Sequence, residues 1–121
     1  MGPLMRIAIV TRYFPPIWGG VSSQNVDEVR YFSYKGHVCN VYALTDKKLI
    51  HSHVVTFRNT IDDFLLKGIN VKYLYLMISN PKEILLSILK AVHNIKNELR
   101  GFDIIEAHEV ETALAISAII G

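Results

Sequence analysis

The run Met5–Thr11, MRIAIVT, is apolar and β-branched almost without a break. A strand that faces water on one side alternates apolar with polar residues, so this run predicts a strand covered on both faces. Such cover comes from helices packed above and below a parallel sheet. One strand of this kind points to an α/β arrangement, provided that helices and further strands alternate behind it.

They do alternate. Ser22 and Ser23 are N-cap candidates for a helix reaching Lys35, with Gly36 just past its end. His37–Thr45 (HVCNVYALT) reads as a second strand and Ser52–Phe57 as a short third. Ile61–Lys67 reads as a helical turn closed by Gly68, and Asn70–Leu76 (NVKYLYL) as another strand. Pro81 suits the first position of a helix capped by Asn80. Up to Leu99 that helix carries Ile84, Ile88, Val92, Ile95 and Leu99 at helical spacing. Leu85 and Leu89 widen the stripe, and Gly101 stops the helix. Asp103–Ala107 is a further strand and Glu111–Ile120 a final helix. The expected fold is a Rossmann-like parallel sheet with helices on both faces over residues 5–121, after a short leader at 1–4.

Composition agrees with one globular domain. Half of the 121 residues are apolar and a fifth are charged. The net charge of +2 is too small to imply a nucleic-acid partner. A single cysteine, Cys39, allows no internal disulfide and fits a reducing, cytoplasmic setting. No apolar run reaches membrane-spanning length. The 81–99 helix has a second reading as a peripheral membrane contact, because Lys82, Lys90, Lys96 and Arg100 flank its stripe. Packing on the sheet is the plainer use of such a face. The ending, ALAISAIIG, is apolar nearly all round and calls for cover on more than one side, so we expect one half of a longer protein.

In open α/β sheets, ligands bind beyond the carboxyl ends of the strands, where the strand order reverses. With a 3-2-1-4-5 order, the loop after the first strand and the segment after Ala107 open on one edge. The first is RYFPPIWGG, residues 12–20, too elaborate for a simple turn. Its Gly19-Gly20 pair precedes a helix start, where bare backbone and free N–H groups favour phosphate or sugar oxygens. A tight turn is the plain alternative. The second segment places His108, Glu109 and Glu111 on the same rim. HEVET begins like a zinc-binding H-E-x-x-H, but Thr112 stands where the second histidine belongs. His51 and His53 read as solvated loop residues, and Cys39 as a small apolar strand residue.

Taken together, MRIAIVTRYFPPIWGG, KGHVCNVYALT and FDIIEAHE resemble the N-terminal domain of retaining GT-B glycosyltransferases of family 4. Members show a strand, a Y/F-x-P-P-x-x-G-G loop, a helix, a G-H-x-V strand and a later D-[IV]-[IV]-H-x-H segment. The resemblance runs in order from Met5 to Gly121. It implies a hexosyltransferase-type enzyme whose present half binds the acceptor (a sugar, lipid or protein) with Gly19, Gly20, His108 and Glu109 as substrate-binding residues. A second, C-terminal Rossmann domain would hold the nucleotide-diphosphate sugar, so this half alone would be inactive. No metal or other cofactor is implied. Three residues depart from the pattern: Glu106 replaces the first histidine of the late segment, and Asn25 and Glu28 take helix positions often apolar in the family. A rival of another class is a stand-alone Rossmann-like binding or interaction module. A nucleotide-sugar epimerase or dehydrogenase would want a G-x-G-x-x-G turn, which this sequence lacks.

Overall fold

Strand β1 (Arg6–Thr11) lies inside a four-stranded sheet of order β3-β2-β1-β4, with every neighbouring pair parallel. The computed structural model describes residues 4–14, 20–46, 69–76 and 80–121. In chain order after β1 come α1 (Gly20–Tyr34), β2 (Val38–Asp46) and β3 (Asn70–Leu76). A 3-10 turn (Pro81–Glu83) then leads into α2 (Ile84–Asn94), followed by α3 (Lys96–Leu99), β4 (Ile104–Ala107) and α4 (Val110–Ile120). The strand expected at 52–57, the turn expected at 61–67 and Gly19 lie outside the described residues.

The unbroken apolar character of β1 has the expected cause. Ile7 and Ile9 face α1 and pack with Val26, Val29, Cys39, Val41 and Ala43. Ala8 and Val10 face the other way, onto Ile88, Val92, Ile95 and Leu99 of the α2–α3 segment and Ala115 of α4. Period-two alternation thus feeds two cores at once. Each large apolar side chain buried this way contributes about 1.5–3 kcal/mol on leaving water. The chain is therefore an α/β domain of Rossmann-like type, with helices on both faces of an all-parallel sheet.

Helix ends mostly follow the sequence, with small corrections. α1 ends in a Schellman arrangement: Gly36 N donates to the Ser33 carbonyl at 3.0 Å and His37 N to the Phe32 carbonyl at 3.1 Å. Gly36 takes φ +90°, and the His37 ring meets Phe32 edge-on. His37 therefore belongs to the cap, and β2 starts one residue later than expected. At the other end, α1 already begins at Gly20, so Ser22 and Ser23 sit in its first turn instead of capping it. The Asn80 side chain does cap its turn, accepting from Lys82 N at 3.0 Å.

The stripe on 81–99 lies against the sheet, with Ile88, Val92, Ile95 and Leu99 buried and Ile84 and Leu89 packed beside them. Leu85 turns out to be exposed, as is Leu86, next to Lys82 and Lys90. α4 uses Thr112 and Ala115 to face the core, while Val110 and Leu114 remain open. No helix among the described residues is long and apolar enough to cross a membrane.

Two stability tests arise here. Gly36→Ala forces a side chain into a left-handed backbone and should cost about 1–2 kcal/mol in urea denaturation. The second concerns alkaline pH. Burial pushes the Cys39 thiol from 9.0 up to about 11, and mainly burial pushes Tyr42 from 10.0 up to about 12. Both groups stay protonated longer in the folded chain than in the unfolded one. Their contribution is thus intact below pH 9 and is lost as pH rises through these folded values. The urea midpoint should fall between pH 9 and 12, and Cys39→Ala should flatten the part between 9 and 11.

Candidate functional site

β1 carries β2 and then β3 on one side and β4 on the other, so the chain reverses its direction of winding between β1 and β4. The crevice beyond the carboxyl ends of these two strands is the switch point where such sheets take ligands. The ladder extends one step past the Val10–Ala107 pair, with His108 N donating to the Val10 carbonyl at 3.0 Å. That bond sets His108 and Glu109 beside Thr11 on the rim.

Thr11 ends β1 with a buried hydroxyl that is fully engaged. It accepts from Tyr13 N at 3.1 Å and from the Asn25 side-chain amide at 2.9 Å. Its own proton points to Glu109 Oε2 at 3.2 Å. The other Glu109 oxygen accepts from Arg12 N at 2.6 Å. Asn25 lies on the sheet-facing side of α1, is 1% exposed and also donates to the Tyr13 carbonyl at 2.7 Å. A carbonyl only accepts, so this bond fixes which way the amide points. The start of the loop after β1 is thereby tied to α1 and to the head of α4.

Glu109 is held in an unusual backbone, with φ +67° and ψ 148°. For a residue other than glycine this region costs on the order of 1–3 kcal/mol. The two bonds to its carboxylate and the one from Ala113 N to its carbonyl offset that strain. Strain of this kind is stored where geometry is over-determined, and rims that bind ligands are such places.

A second cluster lies on the α1 face of the same rim. Alternation along β4 puts Glu106 and His108 on one side, and Glu28 reaches them from α1. His108 Nε2 stands 3.3 Å from Glu106 Oε2 and 3.9 Å from Glu28 Oε2. Each of the three side chains is between a quarter and two fifths exposed. The other Glu28 oxygen is shut off from solvent and has no hydrogen-bond partner among the described residues.

Of the residues singled out from sequence, His108 is on the rim, as expected. Gly20 opens α1, and a Cβ built there meets no described atom within 4 Å. Glu109 is also at the rim, but its carboxylate is occupied by Thr11 and Arg12. Sequence reasoning missed Thr11, Asn25, Glu28 and Glu106 as members. The signal was present in Asn25 and Glu28, three apart on the helix face that also carries Ser22 and Val29. Polar side chains on a buried helix face have a partner or a purpose.

Asn25→Ala leaves the Tyr13 carbonyl without this donor and should cost about 2 kcal/mol. Asn25→Asp, of equal size, places a carboxylate against that carbonyl and near Glu109. It should cost more than the alanine change when the two variants are compared by chemical denaturation.

Comparison with known proteins finds no matching family model, no matching curated protein and no matching solved structure.

Proposed function

We propose that this chain is the acceptor-side domain of a retaining GT-B glycosyltransferase, moving a sugar from a nucleotide-diphosphate sugar to an acceptor hydroxyl. The observation that carries the reading is the convergence at the switch point. The segments that bear the first and last motifs of the resemblance, the end of β1 with the start of α1 and the stretch 102–109, meet at one rim. His108 lies there beside the β1 terminus, and Gly20 opens the helix that lines the same crevice.

In this reading the bond from the anomeric carbon to the diphosphate oxygen breaks, a bond to the acceptor oxygen forms on the same face of the sugar, and the acceptor's hydroxyl proton passes to the departing diphosphate. This half supplies placement: polar groups at the rim hold the acceptor and the near side of the sugar, which lowers the entropic part of the barrier. The departing diphosphate needs positive groups, which belong to the second Rossmann domain that the reading requires. An open reading frame beyond Gly121 that encodes such a domain with an E-x7-E segment supports transfer. A stop codon directly after it favours a binding module instead.

The test uses the full-length protein. Gly20→Val should nearly abolish transfer, because in this reading bare backbone at the start of α1 must approach the sugar and a branched side chain would hold it off. It should leave stability within about 0.5 kcal/mol, since no atom of the described residues lies within 4 Å of a Cβ at that position. His108→Ala should lower turnover far more than it lowers the melting temperature. Wild-type turnover in Gly20→Val, or an unfolded His108→Ala whose folded fraction is fully active, refutes the assignment. The 121-residue chain alone should show no transfer.

A further inference from the structure

We propose that Glu28, Glu106 and His108 form a binding site for one divalent transition-metal ion of the zinc class. The three residues offer two carboxylate oxygens and one imidazole nitrogen, all within 4.8 Å of one another. Donors on a tetrahedral ion with bonds near 2.1 Å lie about 3.4 Å apart. The His108–Glu106 separation of 3.3 Å already meets that spacing, and the Glu28 oxygen at 3.9 Å is a small side-chain adjustment away.

Charge makes the stronger case. Two carboxylates that face one ring nitrogen call for a positive charge among them, which a protonated His108 or a bound cation can supply. A proton on Nε2 serves Glu106 at 3.3 Å but leaves Glu28 Oε2 beyond hydrogen-bond distance. It also leaves Glu28 Oε1 buried with no partner, an arrangement that is costly for a carboxylate. A dication draws all three groups together, and engages Glu28 Oε1 as well only where that carboxylate binds through both oxygens. One nitrogen and two oxygens suit zinc, manganese or cobalt, whereas magnesium prefers oxygen ligands and its own water shell. The partial exposure of the three side chains gives the ion a way in and leaves a coordination position for a water or a substrate oxygen.

This site does not rest on the transferase reading, whose family resemblance implies no metal. The experiment reads binding instead of turnover. Chelator-treated chain is titrated with Zn²⁺ by calorimetry, and with Co²⁺ by its visible absorption. Wild type should bind one equivalent of Zn²⁺ with a rise in melting temperature, and excess Mg²⁺ should not displace it. Glu28→Gln, Glu106→Gln and His108→Asn keep side-chain size and should each weaken binding by at least about tenfold. Circular dichroism of the three variants confirms that they fold. A double His51→Ala/His53→Ala variant should bind as wild type does. No binding by wild type, equal binding in all variants, or loss only in the His51/His53 variant each overturns the proposal.

Discussion

The hydroxyl of Thr11 is where the described rim is tied together. β1 is buried on both faces and ends at this one polar atom. Its partners come from the loop behind it, from α1 and from the residue that opens α4. A strand that ended in valine would pack as well and would leave those three segments free to set their own positions. Glu109 and Asn25 are then the two arms of one clamp: one fixes the Arg12 amide and the other the Tyr13 carbonyl. Phe14, buried against the α1 side of the core, anchors the next step of the same loop.

Below the rim, every level of the chain points to the same answer. Alternation, caps, the glycine after α1 and the apolar stripe of α2 are mutually consistent. At the rim that consistency fails in three places: a strained Glu109, a carboxylate oxygen of Glu28 with no partner, and two carboxylates facing one histidine. Natural sequences tolerate such conflicts chiefly where a ligand or a reaction gives them a use. They lie within one crevice, which argues for a single site over scattered defects.

The fold was legible because its signals are periodic. Met5–Thr11 reads as a doubly covered strand, and the stripe Ile88, Val92, Ile95, Leu99 does pack on the sheet. The single helix expected over 81–99, however, is a 3-10 turn, α2 and α3, broken at Ile95. Element ends shifted where a cap was at stake, by one residue at His37 and by at least three at the start of α1. The site was legible in part. His108 follows from position alone, since the residue after a buried strand must sit at its rim. Asn25 and Glu28 stand out in the sequence only as departures from the family pattern, because a polar residue on an apolar helix face shows no partner until the fold brings one. Glu106 was read as a departure from a motif, and its pairing with Glu28 depends on a contact between α1 and β4 that no local pattern encodes. The glycine pair was weighed for its backbone freedom, yet at Gly20 the feature that matters is empty space.

The sign of charge at the rim bears on how labour would be divided in a transferase. Glu28, Glu106 and Glu109 put three carboxylates near one crevice, against the single imidazole of His108. At an effective dielectric of about 20, two like charges about 5 Å apart repel by about 3 kcal/mol. A diphosphate brought to this edge would meet that penalty more than once. Uncharged sugar hydroxyls meet none of it, and carboxylates are good acceptors for them. The same arithmetic favours an uncharged acceptor over a diphosphate at this edge. It also says what a divalent ion at Glu28, Glu106 and His108 would change: it would neutralise the two carboxylates that bind it and lower the penalty for an oxygen anion at this edge.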